Sequence, residues 1–209
     1  MKKKKSVNYL SKFASVDSGF MKQIVLVCII LYFGSCNGDR RIHLDDLTLT
    51  DVDGRAVNVK QAGGNGTIVF LFMSPDCPLC MNYTKTINDL VKKFAVQSIT
   101  FIPVYPGDNY SQKELVEFQK NYNFNLQSLV DKDFTLSKML EATVTPQAIV
   151  ISDSRVKMYS GAIDNWMFET GKKRTVITES YLDTVLTQLV NGKTVSLHST
   201  EPIGCFIEL

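Results

Sequence analysis

Continuous apolar runs alternate with amphipathic stretches along most of this 209-residue chain. The runs TIVFLF (67–72) and QAIVIS (147–152) are rich in β-branched and aromatic residues, which is typical of strands buried on both faces. ITFIPVY (99–105) has the same character, and QSLVD (127–131) predicts a shorter strand. LTLTDVDGRAVNV (47–59) alternates around Asp-Gly, so it predicts a β-hairpin.

Helical spacing of apolar residues follows several of these strands. After TIVFLF, one face of a helix is formed by Tyr83, Ile87, Leu90, Val91 and Phe94. Pro78 suits the first turn of that helix, and Ser111 with Glu114 forms a capping box that opens another. A short helix is predicted over Phe134 to Ala142, and a last helix begins near Tyr181 and stops at Asn191-Gly192.

The order of these elements predicts the fold class. The hairpin is followed by a β-α-β-α-β-α succession and then by β-β-α, in which VKMYSG (156–161) pairs with QAIVIS. Alternating strands and helices of this kind predict an α/β fold with a central mixed sheet, helices on both faces and an N-terminal β-hairpin.

The first 35 residues have a different character. They contain six lysines, one acidic residue and the ten-residue apolar core IVLVCIILYF (24–33), which is the layout of a secretory signal peptide. Ten apolar residues are too few to span a bilayer as a helix. Gly34-Ser35-Cys36 resembles the lipobox of bacterial lipoproteins, so we expect an exported protein anchored to a cell-envelope membrane by acylated Cys36, with residues 36–46 as a tether. An ordinary signal peptide that is cleaved nearby is the alternative.

Removal of this leader changes the charge and the cysteine count. Six of the 23 basic residues and one of the 21 acidic residues lie in 1–35, which leaves 17 against 20, a net charge of about −3. No basic surface for nucleic acid is expected. With Cys28 in the leader and Cys36 acylated, the remaining thiols are Cys77, Cys80 and Cys205. An exported protein meets an oxidising compartment, in which disulfides persist.

The sequence SPDCPLC (74–80) places two of these thiols directly after a predicted buried strand. At a strand-to-helix turn, exposed backbone N–H groups and the helix dipole favour a thiolate at Cys77. Cys80 lies one turn inside the helix, close enough to attack a mixed disulfide formed at Cys77. The spacing therefore predicts Cys77 as the nucleophile and Cys80 as the resolving thiol.

The strand, the Cys-Pro-Leu-Cys turn, the helix and the Thr145-Pro146 pair before a strand resemble the thioredoxin superfamily. The hairpin at 47–59 and the insertion SQKELVEFQKNYN resemble its redoxin branch, which includes peroxiredoxins and membrane-tethered exchange proteins of bacterial envelopes. The resemblance implies a domain over 47–195 with a thioredoxin-like fold. It also implies a cis Pro146 facing the cysteines and a Thr145 that pairs by its backbone with the substrate peptide. The implied partners are protein thiols or disulfides and a redox donor, and no cofactor is implied.

The active-site loop departs from thioredoxin itself at two positions. Asp76 stands where thioredoxin has a Trp, and Leu71 replaces a buried Asp that would accept a proton from the second thiol. Asp76 should oppose a thiolate at Cys77 by like-charge repulsion, while Pro78 and the helix start favour it. The sequence leaves this balance open.

Three alternatives remain for the cysteine pair. A peroxidase of the peroxiredoxin type is favoured by Ser74, three residues before Cys77, but Phe70 stands where that motif has Pro. A copper or zinc site is the second, although no metal ligands are assigned because the two histidines, His43 and His198, lie in the tether and the tail. A structural disulfide is the third.

Cys205 lies in a C-terminal tail (196–209) and is the odd thiol of the mature chain. Its apolar neighbours Ile203, Phe206 and Ile207 predict a tail folded onto the domain, with Cys205 packed as a small hydrophobic residue. A third thiol that reached Cys77 would change the mechanism, so Cys205 is a candidate site residue.

Overall fold

The strand Thr67–Phe72 lies inside the main sheet, as its continuous apolar run predicts. The computed structural model describes residues 41–209, so the predicted leader and Cys36 lie outside the described part of the chain. In residues 41–209, no helix is both long enough and apolar enough to cross a membrane.

The described residues form strands and helices that we number in chain order. The strands are β1 (Thr48–Asp51), β2 (Ala56–Asn58), β3 (Thr67–Phe72), β4 (Ile99–Pro106), β5 (Leu129–Asp131), β6 (Val144–Thr145), β7 (Gln147–Ile151), β8 (Lys157–Gly161), β9 (Met167–Glu169), β10 (Lys172–Lys173) and β11 (Cys205–Phe206). The helices are α1 (Val59–Gly63), α2 (Pro78–Lys93), α3 (Gln112–Asn121), α4 (Thr135–Leu140) and α5 (Tyr181–Val190).

The main sheet has seven strands in the order β2-β1-β5-β4-β3-β7-β8. β3, β4 and β5 are parallel neighbours, joined by crossovers through α2 and α3, while the remaining pairs are antiparallel. The sheet is therefore mixed and includes an N-terminal β1-β2 hairpin, both as predicted, and this hairpin forms one of its edges.

Both faces of the sheet are covered by apolar packing. Val69 and Leu71 of β3 point into a core shared with α2, α3 and α5. Phe70 and Phe72, at alternate positions, point into a second core that includes α4 residues and Val59 of α1. Because successive strand side chains face opposite sides, one apolar run serves two cores.

Three parts of the fold were not predicted from the sequence. They are α1, the β9-β10 hairpin and the antiparallel pairing of β11 with β6. The packed domain also includes residues before 47: Leu44 is 1% exposed within the second core, and the N–H of Ile42 donates to the carbonyl of Arg155 at 2.8 Å. The second half of the segment predicted as a tether therefore lies against the domain, because these two apolar residues find partners there.

Candidate active site

The loop between β3 and α2 positions the two predicted redox cysteines. Cys77 is the N-cap residue of α2 with an extended backbone, and Pro78 occupies the first turn as expected. The N–H of Cys77 donates to the carbonyl of Ser74 at 3.3 Å, which closes the turn. Cys80 lies inside the first turn and is completely buried, and its sulfur accepts a hydrogen bond from the N–H of Ser74 at 3.3 Å.

The segment Thr145-Pro146 faces these cysteines from the opposite side. The peptide bond between the two residues is cis, which is the geometry that the resemblance implies. The Cys77 sulfur lies 3.4 Å from the carbonyl oxygen of Thr145. The nucleophile predicted from the sequence and the backbone predicted to pair with substrate are therefore in direct contact.

Cys205 brings a third thiol to the same point. Its sulfur is 3.0 Å from that of Cys77 and is placed to donate an S–H hydrogen bond to it. Cys205 itself is exposed, whereas Cys77 is only 1% exposed. The prediction that Cys205 would pack as a small hydrophobic residue is wrong: the tail does lie on the domain, but its thiol lies over the sulfur of Cys77 at the surface.

The three thiols have very different acidities. The pKa of Cys77 is lowered from 9.0 to about 5, chiefly by a hydrogen bond from Cys80 and then by those from Cys205 and the N–H groups of Cys80 and Leu79. Burial raises the pKa of Cys80 well above its usual range, and the neighbouring Cys77 raises it further. Burial also raises the pKa of Cys205, to about 11. Cys77 is therefore the thiolate near neutral pH, and the other two thiols are donors to it.

Asp76, whose charge was predicted to repel a Cys77 thiolate, belongs to a local hydrogen-bond cluster. The Asp76 carboxylate accepts hydrogen bonds from the hydroxyls of Ser74 and Tyr110, the latter at 2.5 Å, and these bonds lower its pKa. The two hydroxyls lie 2.7 Å apart. The charge of Asp76 contributes to the raised pKa of Cys205. The balance that the sequence left open favours a thiolate at Cys77, because the hydrogen bonds to its sulfur lower its pKa to about 5.

Several of the predicted site residues lie together around one cleft, whereas Pro78 and Pro146 are not part of its lining. The cleft has a volume of about 330 Å³ and is lined in part by Ser74, Asp76, Tyr110, Thr145 and Cys205. Tyr110 was not predicted, because a tyrosine directly before the capping-box serine of α3 has no distinguishing signal in the sequence. In the part of the chain that the structure describes, no group of three or more His, Cys, Asp or Glu side chains is placed to hold a metal ion.

Comparison with known proteins places this site within a known family of domains. Residues 43–159, which contain Cys77, Cys80, Thr145 and Pro146, match the model of the AhpC/TSA family. The matched range ends before Cys205. No curated protein matches the chain in sequence.

Two solved structures share the fold over most of this chain, and a third resembles about half of it. A hypothetical protein of Sinorhizobium meliloti is 20% identical with a TM-score of 0.70, over 84% of this chain and 96% of that one. An uncharacterised conserved protein of Geobacillus kaustophilus is 19% identical with a TM-score of 0.70, over 83% and 94%. A secreted disulfide oxidoreductase of Mycobacterium tuberculosis is 17% identical with a TM-score of 0.47, over 53% and 79%. The AhpC/TSA match and the central mixed sheet together make the fold thioredoxin-like, as the sequence predicted.

Proposed function

The chain belongs to the AhpC/TSA family, in the redoxin branch of the thioredoxin superfamily, and from this premise we propose that it is a thiol–disulfide oxidoreductase acting on protein disulfides. The observation that carries the proposal is the pairing of an acidic thiol, Cys77 at the start of α2, with a completely buried thiol, Cys80, one turn further on. The first is suited to attack a disulfide, and the second is shielded from doing so first.

The first step forms a mixed disulfide. The Cys77 thiolate attacks one sulfur of the substrate disulfide, so that a bond forms between Cys77 and the substrate while the substrate S–S bond breaks. The expelled substrate sulfur leaves as a thiolate and takes up a proton. The carbonyl of Thr145, 3.4 Å from the Cys77 sulfur, lies where the backbone of an extended substrate would pass.

The second step releases the substrate. Burial is the main cause of the raised pKa of Cys80, but hydrogen bonding and repulsion from Cys77 also contribute. Once Cys77 is in a mixed disulfide, it no longer carries a negative charge, so the pKa of Cys80 falls when Cys80 is required to react. Cys80 then loses its proton and attacks the Cys77 sulfur. The second substrate thiol leaves, and a Cys77–Cys80 disulfide remains, which a thiol donor reduces with two electrons and two protons.

The alternative function is that of a thiol peroxidase, in which Cys77 attacks hydrogen peroxide instead of a disulfide. The hydrogen bonds of Ser74 disfavour this function. The Ser74 hydroxyl hydrogen bonds to Asp76 and to the hydroxyl of Tyr110, 2.7 Å away. It is therefore engaged away from the sulfur of Cys77, and Phe70 stands where the peroxidase motif has Pro.

A comparison of two oxidants tests the proposal. The reduced protein is mixed under single-turnover conditions with equal concentrations of a peptide disulfide or hydrogen peroxide, and loss of the Cys77 thiol is followed by alkylation and mass spectrometry. We expect the disulfide to react at least about tenfold faster, because the site is organised for thiol–disulfide exchange. Faster reaction with peroxide, through a sulfenic acid at Cys77, would instead identify a thiol peroxidase.

We also propose that this activity is located at a bacterial cell envelope. The support is the leader sequence and Gly34-Ser35-Cys36, which lie outside the described residues. The intact mass of the protein made in a bacterial host tests this, since the mature chain should begin at an acylated Cys36. A chain that begins elsewhere, or lacks the lipid, would contradict it.

A further inference from the structure

The C-terminal tail adds a strand to the edge of the active site. Cys205 pairs with Thr145 and Phe206 with Val144 in antiparallel register, and the N–H of Ile207 donates to the carbonyl of Thr143 at 2.9 Å. The tail thus pairs as a strand with the two residues that precede Pro146 and hydrogen bonds to the backbone of the residue before them. This is the general way in which an extended peptide binds to an exposed strand edge.

Gly204 shows how closely the tail approaches. A Cβ atom added at Gly204 would lie 2.1 Å from the carbonyl oxygen of Thr145 and 2.6 Å from its carbon. A contact this short with backbone requires the tail to move away. The absence of a side chain at residue 204 therefore allows the next residue, Cys205, to lie directly over Cys77.

The tail also closes off the nucleophile. The sulfurs of Cys205 and Cys77 are 3.0 Å apart, and Cys77 is 1% exposed with the tail in place. A disulfide has an S–S length of about 2.05 Å, so the two sulfurs need to approach by only about 1 Å to bond. An external disulfide cannot reach Cys77 until the tail moves.

The attachment of the tail is weak at its end and firmer upstream. Strand β11 has two residues, both exposed, with Phe206 85% exposed, and the partly buried Ile207 beyond it packs against the second core. Further upstream, the Thr200 side chain accepts a hydrogen bond from the N–H of Ala162 at 2.9 Å, and the Thr200 N–H donates to Ser160 at 3.2 Å. Segments with few buried contacts open at low free-energy cost, so the last residues can detach while Thr200 keeps them close.

We propose that residues 201–209 are a tethered substrate, in which the strand Cys205–Phe206 occupies the position of a substrate strand and Cys205 exchanges disulfides with Cys77. This proposal rests on the proposed function of the Cys77–Cys80 pair. The Cys205 thiolate attacks the Cys77 sulfur of a Cys77–Cys80 disulfide. The Cys77–Cys205 bond forms, the Cys77–Cys80 bond breaks, and Cys80 takes up the proton that Cys205 gave up, so no external oxidant or reductant is required.

The same geometry defines the class of external substrate. A competing segment must be extended, must pair in antiparallel register with Val144 and Thr145, and must carry a cysteine opposite Thr145. It must also donate a backbone hydrogen bond to the carbonyl of Thr143, as Ile207 does. The close approach at residue 204 favours glycine immediately before that cysteine. The tail holds Cys77 covered until such a segment displaces it.

The test compares two otherwise identical proteins that lack the resolving thiol. Cys80→Ser and the double variant Cys80→Ser with Gly204→Ala are each equilibrated with reduced and oxidised glutathione, quenched with acid, and mapped by mass spectrometry without reduction. We expect Cys80→Ser to form an intramolecular Cys77–Cys205 disulfide. Adding Gly204→Ala should lower the effective concentration of the Cys205 thiol at Cys77, measured against glutathione, by about tenfold or more, because the Cys205 thiol is no longer held next to Cys77. Faster amide exchange at Ile207 confirms that the tail has been loosened.

A tail variant that leaves the close approach intact serves as the control. Leu209→Ala, in the same Cys80→Ser background, changes an exposed tail residue beyond the paired strand that does not line the cleft, and it should leave the effective concentration unchanged. Two results would overturn the proposal. In the first, Cys80→Ser forms a mixed disulfide between Cys77 and glutathione while Cys205 remains a free thiol. In the second, the fraction of Cys77–Cys205 disulfide is the same with and without Gly204→Ala. Neither result bears on the Cys77–Cys80 pair, which is measured separately in a Cys205→Ser protein.

Discussion

Replacement of Cys77 by serine is expected to lower the second-order rate of disulfide exchange by about 10³-fold or more, because a serine hydroxyl has no accessible anion near neutral pH. The substitution is nearly isosteric at a residue that is 1% exposed, so the fold should be retained. The measurement is the initial rate at which the reduced protein converts a peptide disulfide to thiols, with circular dichroism to verify the fold.

A second substitution to serine provides the comparison. Val96 is 91% exposed in the loop after α2, so Val96→Ser should exchange at the parent rate. If Cys77→Ser retained a rate within about threefold of the parent while folded, exchange would have to proceed through another thiol, and the assignment of Cys77 would be wrong.

The pH dependence of the first step should show a similarly large effect. With a pKa of about 5, Cys77 is about 99% thiolate at pH 7, whereas a thiol with the ordinary pKa of 9.0 is about 1% thiolate, a difference of about 100-fold. The folded pKa is lowered, so the reactive form is present above pH 5 and is lost as the pH falls through that value. The single-turnover rate should be nearly constant from pH 6 to pH 8 and should fall about tenfold per unit below pH 5.

The ultraviolet absorbance of the thiolate gives the same pKa without a substrate, and Cys77→Ser supplies its baseline. A rate that instead rises about tenfold per pH unit from pH 6 to pH 8 would mean that Cys77 has an ordinary thiol pKa. In that case the hydrogen bonds from Cys80 and Cys205 do not stabilise a thiolate, and the proposed division of roles between Cys77 and Cys80 loses its basis.

The central part of the fold follows from local patterns in the sequence. TIVFLF and QAIVIS are continuous apolar runs because each strand faces a core on both sides, and both form the strands predicted, β3 and β7. The capping box at Ser111 and Glu114 marks the start of α3 because both reciprocal hydrogen bonds are local. Such signals lie within a few residues of one another, so a single sequence is enough to read them.

The arrangement around the third thiol could not be predicted in the same way. The pairing of Cys205–Phe206 with Val144–Thr145 joins two-residue strands about 60 residues apart, too short for any period to appear. The apolar residues of the tail predicted packing, but Phe206 is 85% exposed and only Ile207 packs against the second core. Backbone pairing positions Cys205 and Phe206, with Ile207 packing against the second core, and backbone pairing leaves no signature in the apolar pattern of the sequence.

The acidity of Cys77 could be predicted only in part: the sequence indicated the backbone N–H groups at the helix start, but not the larger contribution from the side chain of Cys80 or that from Cys205. Asp76 next to it in the chain suggested repulsion, whereas the folded protein binds that carboxylate with the hydroxyls of Ser74 and Tyr110. Tyr110 is 34 residues away from Asp76. The hydrogen bonds that stabilise the Cys77 thiolate likewise include one from Cys205, 128 residues away.

A redox titration of the Cys205→Ser protein tests most directly whether Cys77 and Cys80 form a dithiol switch. The protein is equilibrated over graded ratios of reduced and oxidised thiol, quenched by alkylation, and mapped by mass spectrometry, which separates these cysteines from Cys28 and Cys36. We predict that Cys77 and Cys80 are oxidised together in one two-electron step and form a disulfide with each other. Cysteines that stay reduced, form only adducts with the buffer thiol, or stay linked under every reducing condition would contradict the proposed exchange mechanism.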